Sequence, residues 1–164
     1  MTISDTVAII GTGNMGGRLA AGFAPGGQDF LLAGRNVEDA RKLAADLDGH
    51  AEAVSIDEAI GRADVLVFAV WFDVFKQLIA EFGERLAGKV IVDPTNPVAP
   101  DGNGGFQKII GEQESSGQIL ARLLPPGARL VKAFGTLSAP PVLGRAAGAG
   151  ACGRVLRGRR RRRG

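Results

Sequence analysis

Short apolar runs alternate with amphipathic stretches along the first 135 residues of this chain. Thr6-Val7-Ala8-Ile9-Ile10 stops at a glycine, the pattern of a strand buried on both faces. Asn14 to Phe23 then reads as a helix with Met15, Leu19 and Phe23 on one face. Asp29 to Ala33 is a second strand, followed by Asn36 as an N-cap and a helix from Val37. A weaker strand, Ala51 to Ser55, leads into a short helix from Asp57 to Arg62. Val65 to Val70 gives the strongest strand signal, and Asp73 to Leu86 follows with Phe75, Leu78, Ile79 and Phe82 on one stripe. Lys89 to Val92 is a fifth strand. Prolines 94, 97 and 100 and glycines 102, 104 and 105 then mark a loop. Ser116 to Leu124 is a further helix, and Arg129 to Phe134 a sixth strand.

This alternation predicts an α/β fold: a Rossmann-type, doubly wound parallel sheet of about six strands between two helical layers. Right-handed crossovers and two mononucleotide-binding halves give the strand order 3-2-1-4-5-6. Residues 1–138 make one domain on this reading. Residues 139–164 break the pattern: they are rich in Arg, Gly and Ala, contain no acid, and end in Arg159 to Arg163 and Gly164. Such a segment has too little apolar surface to offset ordering entropy, so a disordered tail is expected.

Charge divides at the same place. Residues 1–138 contain 12 lysines and arginines against 17 acids, a net charge of −5, while the tail holds eight arginines. Two origins are open for the tail: a frameshifted reading of a GC-rich gene, or a basic segment for polyanions. It lacks interleaved aromatics for base stacking, so no specific nucleic-acid partner is expected. No apolar run approaches the roughly 20 residues needed to span a bilayer, and the N-terminus lacks a basic signal-peptide region. One cysteine, Cys152, excludes an internal disulfide and suits a cytoplasmic location. One histidine, His50, excludes a multi-histidine metal site in one chain. His50 reads as a solvated loop residue, and no catalytic or metal-binding residue is assigned.

The candidate chemistry lies in Gly11-Thr12-Gly13-Asn14-Met15-Gly16. G-x-G-x-x-G is a weak signal alone, but here it follows a buried strand and opens a helix, as dinucleotide binding requires. Gly11 would permit the tight turn, Gly13 would let backbone approach a pyrophosphate, and Gly16 would let the helix pack on the strand. The helix N-terminus would face the phosphates. An NAD-specific domain usually ends its second strand with a carboxylate for the ribose 2′-OH. This chain has Gly34-Arg35-Asn36 there instead, 18 to 20 residues after Gly16. Arg35 suits a 2′-phosphate, which points to NADP(H), and its alternative is a solvated arginine at a helix start. Asn36 is a helix cap that could also reach the phosphate, while Arg41 and Lys42 face solvent.

Ile9-Ile10-Gly11-Thr12-Gly13-Asn14-Met15-Gly16, Ala33-Gly34-Arg35-Asn36, Val67-Phe68-Ala69-Val70, Asp93-Pro94-Thr95-Asn96-Pro97 and Val131-Lys132-Ala133-Phe134 occur in this order. Together they resemble the NADPH-dependent reductases of the deazaflavin coenzyme F420, which share their N-terminal domain with pyrroline-5-carboxylate reductase. The resemblance covers roughly residues 5–138. It implies that the glycine turn holds the phosphates, that Arg35 takes the 2′-phosphate, and that Ala69, Val70 and Trp71 lie along the nicotinamide. Trp71 has packing as its other reading. Thr95-Asn96-Pro97 would lie near the second substrate, with Asn96 either a polar contact or a turn former. Asp73 and Asp93 could reach substrate or be solvated.

Two departures stand out. Gly135 replaces an asparagine usual after Lys-Ala-Phe, and the family's further C-terminal strand and helices, which complete the cleft and a homodimer, have no counterpart after Ala139. The implied reaction is hydride transfer between NADPH and a small-molecule acceptor of deazaflavin type. The alternatives are an imine reductase of the pyrroline-5-carboxylate reductase type, and a non-catalytic NADPH-binding module or inactive truncated product.

Overall fold

The computed structural model describes residues 5–136. The expected boundary near residue 138 and the tail from 139 to 164 lie outside them. Six strands form one parallel sheet: β1 (Val7–Ile10), β2 (Phe30–Ala33), β3 (Ala51–Val54), β4 (Val65–Phe68), β5 (Val90–Asp93) and, after a hairpin, β8 (Arg129–Lys132). Their order is β3-β2-β1-β4-β5-β8, the predicted doubly wound arrangement. The register runs Val7 to Phe30 and Val65, and Val90 to Val65 and Arg129, so all six strands end at one carboxyl edge.

Strand alternation assigns the two faces. Ala8, Ile10, Leu31, Leu66, Phe68 and Ile91 point one way and pack under helices α3 (Ile56–Arg62), α4 (Phe72–Phe82) and α5 (Ser116–Leu123). Ile9, Phe30, Leu32 and Val67 point the other way, under α1 (Asn14–Phe23) and α2 (Val37–Ala45). Phe68 stacks on Phe75 with centroids 4.4 Å apart, and Phe23 meets Phe30 edge-on at 6.0 Å. Each fully buried side chain of this size contributes roughly 2 kcal/mol. An exposed ion pair such as Arg85 with Asp57 is screened by solvent and adds little, so the two apolar faces hold the fold.

Local chemistry fixes the helix starts. Asn36 caps α2 by accepting from the Glu38 amide at 3.0 Å, and Ser55 caps α3 from the Glu58 amide at 3.1 Å. Both helices carry acids in the first turn, which suits the helix dipole.

Three expectations need correction. The segment after β5 was expected to be loop throughout, yet Val98–Pro100 (β6) pairs antiparallel with Phe106–Lys108 (β7). Its turn is organised by Asp101, whose Oδ1 accepts from the amides of Asn103 and Gly105, while the strand pairing it joins is what proline and glycine content hides. The helix expected to reach Leu86 ends at Phe82, where Gly83 adopts φ +44° and a 3₁₀ turn replaces it. β8 ends at Lys132 rather than Phe134, because Phe134 takes φ +63°, which an extended strand cannot contain. Among the described residues no helix is long and apolar enough to cross a membrane.

Candidate dinucleotide site

The turn between β1 and α1 sits where the strand order reverses, with β2 on one side of β1 and β4 on the other. Gly11 has φ +123°, and a Cβ there would fall 2.2 Å from the carbonyl oxygen of Ala69. Its amide donates to Ala33 O at 2.7 Å, tying the turn to the end of β2. A Cβ at Gly16 would fall 1.8 Å from Gly11 O, so this glycine lets α1 lie against the turn. Both glycines are required by the fold itself.

Gly13 is different. Its φ of −77° is open to any residue, and a Cβ there would meet no atom of the chain within 4 Å. Packing gives no reason for glycine at this position, whereas a pyrophosphate lying against the backbone does. Gly13 also stands at the N-cap of α1, where it supplies no capping side chain, and the first turn of α1 carries no acid. The positive end of α1 is therefore left for an anion, in contrast to α2 and α3.

The predicted site residues gather around this turn in different ways. Thr12 touches the end of β2: a Cβ at Gly34 would fall 2.9 Å from its Cγ2, so Gly34 makes room for Thr12. Met15 packs half-buried into the core beneath α1 and buttresses the turn. Asn14 opens the helix between them. Ala69 and Val70 stand directly behind Gly11. Arg35 is exposed beside the turn and makes no hydrogen bond or ion pair among the described residues. Arg41, by contrast, is paired with Glu38. Asn36 spends its side-chain oxygen on the α2 cap. Trp71, at the N-cap of α4, is 56% exposed, which removes packing as its explanation. Asn96 is a cross-link: its Nδ2 donates to Gly135 O at 2.8 Å, joining the loops after β5 and β8.

Asp93 and the histidine differ from expectation. Asp93 is fully buried rather than solvated. Its Oδ2 accepts from Lys132 Nζ at 2.8 Å, and its Oδ1 accepts from the Thr95 amide at 2.8 Å. Lys132 Nζ also donates to Thr95 O. Asp73 is the exposed one, paired with Lys76. His50 is half-buried, with Nδ1 2.9 Å from Asp29 Oδ1. Lys132 was missed as a site residue, and Thr95 entered only as part of the turn after β5. The available signal was an aspartate and a lysine, each the last residue of its strand, which the register places side by side.

A cleft of about 440 Å³ lies at the opposite, amino-terminal edge, lined by Asp5, Thr6, Asp29, His50, Glu52 and Arg62 among others. Its carboxylates would repel phosphates, and it has neither a glycine turn nor a helix N-terminus. Arg62 there is already held by Glu52 and Glu58, and its pairing keeps the Glu52 carboxyl below the usual range.

A doubly wound sheet, a glycine turn at the switch point and an unspent helix N-terminus define a Rossmann-type dinucleotide-binding domain. The family model described as NADP oxidoreductase, coenzyme F420-dependent, matches residues 6–97, and the chain belongs to that family. It is 30% identical over 147 residues to the F420-dependent NADP reductase of Methanothermobacter thermautotrophicus, covering 84% of this chain and 63% of that protein. A solved hypothetical protein from Sinorhizobium meliloti is 28% identical with a TM-score of 0.71, over 82% of this chain and 63% of that one. A reductive aminase from Aspergillus terreus, solved with NADPH4, cyclohexanone and allyl amine, is 25% identical with a TM-score of 0.56, over 79% and 40%. The chain thus spans less than two thirds of the length of these relatives. The family's nucleotide is NADP(H), and the residues around the turn fit it.

Proposed function

We propose that this chain binds NADP(H) across the carboxyl edge of its sheet and serves hydride transfer to a deazaflavin acceptor of the coenzyme F420 type, in the cytoplasm. The observation that carries the reading is the empty space over Gly13 at the uncapped start of α1, with the unpaired Arg35 beside it. Gly13, Asn14 and Met15 would present backbone to the pyrophosphate, and Thr12 would wall its near side. Arg35 would take the 2′-phosphate with its guanidinium fork, a contact that a carboxylate in its place would make repulsive. Ala69, Val70 and Trp71 would border the nicotinamide, since β4 ends next to Gly11. When bound, NADPH supplies a hydride from C4 of its nicotinamide, and the acceptor takes the accompanying proton from solvent. The protein's part is to orient the two rings and exclude water, so no side chain need act as acid or base.

Calorimetric titration with NADPH and NADH, followed by loss of deazaflavin absorbance under NADPH, tests this. NADPH should bind at least about tenfold more tightly, the lower end of what a charge-assisted contact gives. Equal affinities would remove the assignment of Arg35. Nucleotide binding without deazaflavin reduction would leave a binding module. Reduction of an imine such as that formed from cyclohexanone and an amine is the second reading. The similarity to the reductive aminase favours it, and the same titrated protein can be assayed for it by NADPH consumption.

A further inference from the structure

Beyond the nucleotide turn, the carboxyl edge holds a second organised place, where the ends of β5 and β8 are bound together. Ala133 N donates to Asp93 O at 3.1 Å, Lys132 Nζ donates to Asp93 Oδ2 at 2.8 Å and to Thr95 O, and Asn96 Nδ2 donates to Gly135 O at 2.8 Å. These bonds pin residues on both sides of Phe134 while leaving Phe134 itself to turn. It does so into the left-handed region, φ +63°, a conformation that bulky residues avoid because Cβ crowds the backbone. Asp48, in a tight turn before Gly49, is the other described non-glycine residue there. Phe134 is only partly covered in return: the residue is 37% exposed. Nearby, the hydroxyl of Thr95, a residue 94% buried, has no hydrogen-bond partner among the described residues. A left-handed backbone at a partly exposed phenylalanine, next to an ion pair whose carboxylate is fully buried, is an expensive arrangement for a loop with no ligand.

Its position assigns the ligand. Arg35 follows β2 and the glycine turn follows β1, so a dinucleotide laid across the edge from Arg35 over Gly13 directs its redox end toward β4 and β5. Phe134 follows β8, on the far side of β5 from Trp71, which follows β4. We infer that Phe134, held by the Asp93–Lys132–Asn96 clamp, is the stacking wall for the hydride acceptor. Phe134 is the contact, and Lys132 is a positioning residue that acts through it. The inference rests on the proposed function and specifies the acceptor side of the same site.

The test uses the full chain with NADPH and, as a flat probe, 8-hydroxy-5-deazaflavin, whose binding is read by fluorescence titration independently of turnover. Phe134→Ala should weaken probe binding by about tenfold, the effect of one lost ring stack, and leave NADPH affinity within about twofold. Phe134→Gly should weaken the probe equally and raise the melting temperature, since glycine accepts this φ without crowding. Lys132→Met should weaken the probe and lower the melting temperature, whereas Lys132→Arg, which preserves the ion pair, should restore most of the binding. A parent chain that binds NADPH but not the probe overturns this inference and leaves the nucleotide reading standing. So does a Phe134→Ala variant that melts early and binds the probe normally, which would make the ring a packing element. A chain that binds neither molecule overturns both.

Discussion

At one end of the carboxyl edge the β1–α1 turn offers backbone and empty space; at the other, β5 and β8 offer a web of side chains. Gly11 and Gly16 bring backbone segments within the reach of a missing Cβ, and Gly13 leaves a gap that nothing in the chain fills. Asp93, Lys132, Thr95 and Asn96 join residues 37 to 39 positions apart in sequence, around a carboxylate with no exposure at all. A phosphate is a generic anion, and amides with a helix dipole recognise it without side chains. A particular acceptor has an individual shape, and shape is met by side chains held in fixed places. The contrast explains why the first region reads as a motif and the second does not.

Substitution should break the two regions differently. Gly16→Val drives a Cβ into the Gly11 carbonyl, which has no freedom to move, so the domain should lose at least about 4 kcal/mol or fail to fold. Gly13→Val places its side chain in open space, so the melting temperature should hold while binding of NADPH and NADH disappears. Thermal melts beside calorimetry separate the two glycines, and equal behaviour would end the distinction drawn between them. Lys132→Met strands the buried Asp93 carboxylate, which keeps only the Thr95 amide. Chemical denaturation should show a loss of about 2–3 kcal/mol, below the value for a fully buried pair because Lys132 is half-exposed.

A smaller effect is expected at Arg35. Arg35→Ala should weaken NADPH by about 1–3 kcal/mol and NADH hardly at all, with no change in stability, because the side chain touches nothing else described. Competition titration of the two nucleotides reads this directly. The smallest effect belongs to the β6–β7 hairpin that follows β5. The amides of Asn103 and Gly105 hold the Asp101 carboxyl below its ordinary value. A carboxylate stabilised in the folded state contributes above its unfolded value, about 3.9, and the contribution fades as pH falls through the depressed folded value. The Gly105 amide should therefore lose hydrogen-exchange protection only on the acid side of pH 4. Unchanged protection in Asp101→Ala would show that the strand pairing alone holds this turn.

Much of the site was legible because its signals are local. β1, the glycine turn and α1 occupy 17 consecutive residues, Val7 to Phe23, and Gly34-Arg35-Asn36 follows a strand whose apolar run is unmistakable. Asn36 announced its cap two residues ahead of the amide it binds. Asp93 divided between substrate contact and solvation, and its burial was missed, because its lysine lies 39 residues away; Asn96 divided between contact and turn because Gly135 O was out of view. The hairpin was hidden by its own prolines and glycines, which mark turns without stating whether the flanking residues pair.

The sequence alone determined the order of the six strands of the parallel sheet and of the helices between them, the layers they form, the glycine turn after β1 and the absence of an acid at the end of β2. Periodicity, backbone freedom and charge are properties of residues and their near neighbours, so they survive in one dimension. Only the tertiary structure decided which glycines serve the fold and which leaves room for a ligand, that Trp71 is exposed, and that Phe134 takes a left-handed backbone just past a clamped strand end. Those outcomes depend on what occupies the few ångströms around an atom, and that is fixed only when β4, β5 and β8 come to lie side by side.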